Sequence, residues 1–168
     1  MQTSFQEFLR QKIEGSDWKD RSRRRSEWLN ALNRLLDQIR ESLREADPEG
    51  LLETIPYEVE RVEERLGVYD APALKIRIGT DSVDVVPEGR HATVPLLLQH
   101  LLLDPRNAQR WGNLSGGRVD ITNGERRYLL LRSIVDGQDH WYATVSNQIG
   151  LTPFDSICLQ AILRDLLK

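Results

Sequence analysis

The chain has 168 residues, 39% of them apolar and 29% charged, with 11 Gly, 7 Pro and a single Cys. That balance excludes whole-chain disorder and fits one globular domain with room for an appended arm, while one cysteine excludes an internal disulfide and no Cys/His set has zinc-site spacing. The net charge of −3 excludes a global attraction to nucleic acid or acidic lipid, and neither a signal-peptide core nor a bilayer-length apolar run is present, so a cytoplasmic protein is expected.

Phe5, Phe8, Leu9 and Ile13 recur at three- and four-residue steps, which predicts a short amphipathic helix over about 4–14 that ends at Gly15. Ser16 or Asp17 then caps a second helix over 17–46, with Trp28, Leu32, Leu35, Leu36, Ile39 and Leu43 forming an apolar stripe along one side. Asp47-Pro48-Glu49-Gly50 breaks that helix, since proline cannot continue its interior. Leu51, Leu52, Ile55, Val59, Val62 and Leu66 suggest a return helix over 51–66, closed by Gly67. Residues 1–66 thus read as a helical arm or hairpin, of the coiled-coil kind.

After Pro72 the apolar period falls from 3.6 to 2. Leu74, Ile76 and Ile78 alternate with Lys75 and Arg77, and Gly79-Thr80-Asp81 turns this strand into SVDVV. LLLQHLLL, residues 96–103, suits a short buried helix or a strand, with helix favoured. GRVDIT, Asn123-Gly124 and ERRYLLLRSI predict a hairpin with a two-residue turn of positive φ. Asp136-Gly137-Gln138-Asp139 turns into HWYATV, giving an antiparallel meander over 117–146 in which Trp141 faces the core and Tyr142 and Thr144 the other side. Because Tyr128-Leu-Leu-Leu131 is apolar on both faces, something must cover each. Thr152-Pro153-Phe154-Asp155 starts a last helix, 153–167, with Thr152 as cap and Phe154, Ile157, Cys158, Ala161, Ile162 and Leu166 inward. The fold expected is α+β: a helical arm, then a small domain over 73–168 whose antiparallel sheet is closed by the C-terminal helix.

Arg21, Arg23, Arg24 and Arg25 form the densest basic cluster, and with Trp18 nearby they are the candidates for holding phosphates and stacking bases. Against this, residues 1–50 carry 10 basic and 10 acidic side chains, and Arg21 and Arg25 extend the apolar stripe, where charges need partners such as Glu7 or Glu14, another subunit or a ligand. Glu53, Glu58, Glu60, Glu63, Glu64 and Asp70 are expected to face Arg34 and Arg40 across the hairpin as ion pairs. Asp120 sits where nucleases of the PD-(D/E)XK type place a metal-binding carboxylate, with Asp81, Asp84 and Glu125 as possible helpers. The next strand, however, offers Leu129-Leu-Leu-Arg132 where Glu and Lys are required, so Asp120 reads as a solvent-face residue paired with Arg118 or Arg126. Leu114-Ser-Gly-Gly117 reads as a turn, Cys158 as an inert buried thiol, and His91, His100 and His140 are too scattered for catalysis.

The stretch from Glu64-Arg-Leu-Gly-Val-Tyr to Ile78-Gly79, the long capped helix, the GRVD hairpin and the closing helix after Thr-Pro-Phe together resemble a group of uncharacterised bacterial proteins. The resemblance spans most of the chain. It implies the architecture and a bacterial cytosolic origin, and it brings no activity, cofactor or catalytic residue. The function expected is a non-enzymatic interaction or accessory protein that holds a protein partner or a second copy through Trp28, Leu32, Leu35, Ile39 and Leu43, without metal or cofactor. A nucleic-acid-binding factor using Arg21 to Arg25 is the alternative, and a divergent metal nuclease ranks below both.

Overall fold

The computed structural model describes residues 4–92, 99, 104, 106, 112, 114–144 and 150–168; the side chains of 13–17 are outside this description, as are His100, Trp111, Val145 and, Gln99 aside, the LLLQHLLL segment. The chain opens with one helix, α1 (Phe5–Ala46), of 42 residues. The two helices expected here are therefore one. Gly15 costs a helix only about 1 kcal/mol and no proline forces a break, so the helix runs through it. The cap lies further upstream, where Ser4 Oγ accepts from the Glu7 N–H at 3.2 Å. At the other end Asp47 turns the chain: its carboxylate accepts from the Leu51 and Leu52 N–H groups at 3.0 and 2.7 Å, and these bonds hold it below the usual carboxylate range.

The return helix expected over 51–66 is a strand, β1 (Glu53–Glu63). Ile55, Tyr57, Val59, Arg61 and Glu63 are half-buried, while Pro56, Glu58, Glu60 and Val62 between them are exposed. A helix through the same residues would have buried Leu51 and Val62, which are 63% and 72% exposed. Pro56 is tolerated because β1 is an edge strand whose outer N–H row needs no partner. The acids expected to face Arg34 and Arg40 go elsewhere: Glu53 pairs with Arg77, Glu63 turns inward, and Glu60 lies opposite Asp70 on the exposed side of the ribbon. Arg34 instead pairs with Asp139, and Arg40 with Asp37.

Next come β2 (Gly67–Ile78), β3 (Asp81–Gly89), β4 (Arg118–Thr122), β5 (Arg127–Val135), β6 (Gln138–Thr144) and β7 (Leu151–Pro153). All seven strands pair antiparallel in chain order, giving one open sheet. The β4–β5 loop spans four residues, Asn123 to Arg126, because Thr122 pairs with Arg127. Asn123 Oδ1 accepts from the Glu125 and Arg126 N–H groups, a side-chain turn rather than the two-residue type expected. The two-residue turn lies at Asp136-Gly137, both with positive φ, where Val135 pairs with Gln138. The final helix, α2 (Ser156–Leu166), starts three residues later than expected: Asp155 caps it by accepting from the Cys158 N–H, and Thr152 and Pro153 belong to β7. This shift turns Leu159, Ile162, Leu163 and Leu166 inward and leaves Ile157 78% exposed.

The main core lies between one sheet face and α1 and α2. Trp28, Leu32, Leu35, Leu36, Ile39 and Leu43 of α1 pack there with Leu74, Ile76, Val83, Val85, Ile121, Leu130, Trp141 and Ala143. On the opposite face Leu131 clusters with Leu114, Leu151 and Tyr142, so the strand apolar on both sides is covered on both. β2 and β3 pair only from Leu74–Val85 to Ile78–Asp81, whereas β1–β2 continues to Glu63–Gly67 and β3–β4 to Gly89–Arg118. The sheet therefore forks, and α1 crosses the fork.

Candidate functional site at the root of the helical arm

α1 is half core element and half arm. The stripe expected to serve as an interaction surface is the chain's own core: Trp28, Leu32, Leu35, Ile39 and Leu43 are at most 4% exposed. Upstream of Trp28 the described apolar side chains have no such cover: Phe5, Phe8, Leu9 and Trp18 are 73%, 50%, 38% and 68% exposed. At 1.5 Å per residue, positions 5–24 carry the helix about 30 Å beyond the packed part. Phe5 and Phe8 stack on each other with ring centroids 6.2 Å apart, a local apolar knob near the tip.

Trp28 fixes where the arm leaves the body. Its ring sits against Gly117, where an added Cβ would lie 2.1 Å from the ring, and its Nε1–H donates to Tyr69 Oη at 3.2 Å. Tyr69 in turn donates to Glu63. The other Glu63 bonds come from the backbone N–H groups of Arg90 and His91, at 3.1 and 2.9 Å, and Arg61 Nε donates to Pro87 O at 2.8 Å. These contacts tie the β1–β2 ribbon to the end of β3 across the fork. Burial, helped by Glu63, pushes the Tyr69 phenol up. Beneath the Trp28 ring lies Arg132, 1% exposed, which binds Glu27 of α1, Asp139 of β6 and Gly116 O. Arg34 completes the set by bonding Asp139 at 2.7 Å. Burial alone would raise the Asp139 carboxyl, but the Arg34 and Arg132 hydrogen bonds outweigh it and leave the group below its ordinary range. Chemically this network is a clamp with its hydrogen bonds used internally.

The basic cluster divides. Arg23 and Arg24 bend back onto Asp20 of the same helix, at 2.7 and 3.1 Å. Arg25 reaches the β1–β2 turn, with Nη1 3.4 Å from Leu66 O. Pairing of Arg21 and Arg25 with Glu7 or Glu14 across a helix–helix contact is ruled out by the single continuous helix.

Asp120 is 1% exposed rather than on a solvent face. Arg118 grips it through two bonds at 2.8 and 2.9 Å and Arg127 adds a third at 3.2 Å; Arg126 goes instead to Asp165. The bond to Asp120 raises the Arg118 guanidinium further. Asp84 is engaged by Tyr57 and Lys75, so it does not join Asp120, and among the described residues no three His, Cys, Asp or Glu side chains converge to hold a metal ion. Cys158 is half-buried in a shallow groove of about 410 Å³ with Tyr128, Thr152, Pro153 and Ile157, where burial and then Asp155 push its thiol up. Arg65 and Arg90 at the root escaped sequence reading, and Glu63 and Arg132 were read in other roles. Each lies on a different turn or strand, and only the fork brings them near α1. No family model, curated protein or solved structure matches the chain.

Proposed function

We propose that this is a non-enzymatic interaction protein, of bacterial cytoplasm, whose projecting helix docks on a second copy of the chain. The observation that carries the reading is the exposed Phe5, Phe8 and Leu9 strip on a stretch of α1 that lacks the cover given to Trp28–Leu43. Helical stability in proteins comes mainly from burying an amphipathic face, and this stretch gains that only from another molecule. Glu7, Arg10 and Lys12 flank the strip with charges of both signs, so two arms laid antiparallel set unlike charges opposite each other. Light scattering over a concentration series tests it. The mass should rise from monomer towards dimer, and Phe8→Glu should return it to monomer with an unchanged melting temperature. A strict monomer at every concentration refutes the reading.

A further inference from the structure

The line of side chains that seats α1 on the sheet does not end at Trp28. It continues outward on the same side of the helix as Arg25, Arg21 and Trp18, at three- and four-residue steps. Arg25 marks where this line passes over the β1–β2 turn, since its Nη1 lies 3.4 Å from Leu66 O, and the neighbouring turn residue is the exposed Arg65. On the far side of the fork the segment after β3 brings in Arg90 and His91, held by Glu63. The His91 imidazole is lowered by burial first and then by Arg90, with Arg65 and Arg24 adding to this against the opposing Glu63 carboxylate.

The described acids of α1 beside this line are already engaged, while Glu64, the neighbour of Arg65, is exposed. Asp20 takes Arg23 and Arg24, and Glu27 takes Arg90 and Arg132. Among the described residues, no carboxylate lies within ion-pair distance of Arg21, Arg25 or Arg65. Unneutralised guanidiniums beside an exposed tryptophan combine phosphate recognition with a stacking platform, the two elements that hold unpaired strands without sequence preference. We propose that the root of the arm binds single-stranded nucleic acid, with backbone phosphates on Arg21, Arg25 and Arg65 and a base stacked on Trp18. The site is separate from the Phe5–Leu9 strip and independent of the self-association proposed above.

The test is fluorescence anisotropy of a labelled oligothymidylate titrated with full-length protein carrying Phe8→Glu, so that failure of self-association leaves the result intact. The expected result is salt-sensitive binding that Arg21→Ala/Arg65→Ala weakens by roughly tenfold or more at low salt, with the slope of log affinity against log salt reduced by about 1.4 for two lost contacts. Both positions are exposed, so melting should be unchanged. Trp18→Ala should weaken oligothymidylate binding by roughly tenfold and leave binding of inorganic polyphosphate untouched. The proposal is overturned by no binding at low salt, by binding indifferent to the double substitution, or by polyphosphate competing equally well with Trp18→Ala affecting neither.

Discussion

Replacing Gly117 by alanine should test how α1 is seated. The added Cβ would fall 2.1 Å and 2.4 Å from two ring carbons of Trp28, and that ring is fully buried and hydrogen-bonded to Tyr69. Overpacking a filled core costs about 1–3 kcal/mol. The backbone adds to this, because Gly117 sits at φ +140, which an L side chain adopts only with strain, of about 1–3 kcal/mol. A total near 4 kcal/mol corresponds, for a chain of this size, to a fall in melting temperature of about 8–16 °C. Thermal and urea denaturation followed by circular dichroism would read it. Trp28→Leu removes the clash, so Gly117→Ala in that background should cost only the backbone part, a coupling of about 1–3 kcal/mol. A neutral Gly117→Ala, or strict additivity with Trp28→Leu, would refute the packing argument.

Asp139→Ala leaves the buried Arg132 with one carboxylate and should destabilise by about 3 kcal/mol in urea unfolding. Because the Asp139 carboxyl is lowered in the folded state, its contribution is full above about pH 4 and is lost as pH falls through the folded value, so the wild type should lose more stability on acidification than the variant. Asp120→Ala removes the carboxylate that Arg118 holds through two hydrogen bonds and should cost about 2–4 kcal/mol, seen as a lower denaturation midpoint. Plasmid incubated with the wild type and Mg²⁺ should stay intact, and cleavage that disappears in Asp120→Ala would restore the nuclease reading. Cys158 should react with a thiol reagent near neutral pH more slowly than an unstructured cysteine peptide, since burial and Asp155 disfavour its thiolate.

The second half of α1 was legible because its stripe has one period and one reading, and the Leu74–Val85 hairpin and the β4–β6 meander because alternation and turn residues agree there. Residues 51–66 misled because their apolar positions satisfy both periods. Pro56 and the β-branched Thr54, Ile55 and Val59 favoured the strand, and eleven paired residues with β2 settled it. The stripe announced burial but could not say against what; the answer required knowing that the chain supplies its own seven-stranded sheet. The Arg21–Arg25 cluster was visible as composition, but Arg25 reaching the β1–β2 turn depends on the fork. Asp120 was misplaced because period-2 reasoning assigns a face and not its cover.

Hydrogen exchange resolved along α1 at several protein concentrations is the most direct measurement of the division between seated helix and free arm. Amides of 28–43 should be protected at every dilution, while those of 5–24 exchange fast when dilute and slow as concentration rises. Arm amides protected equally at all dilutions would mean that the chain covers its own arm, and arm amides unprotected at all of them would mean that no second copy docks there.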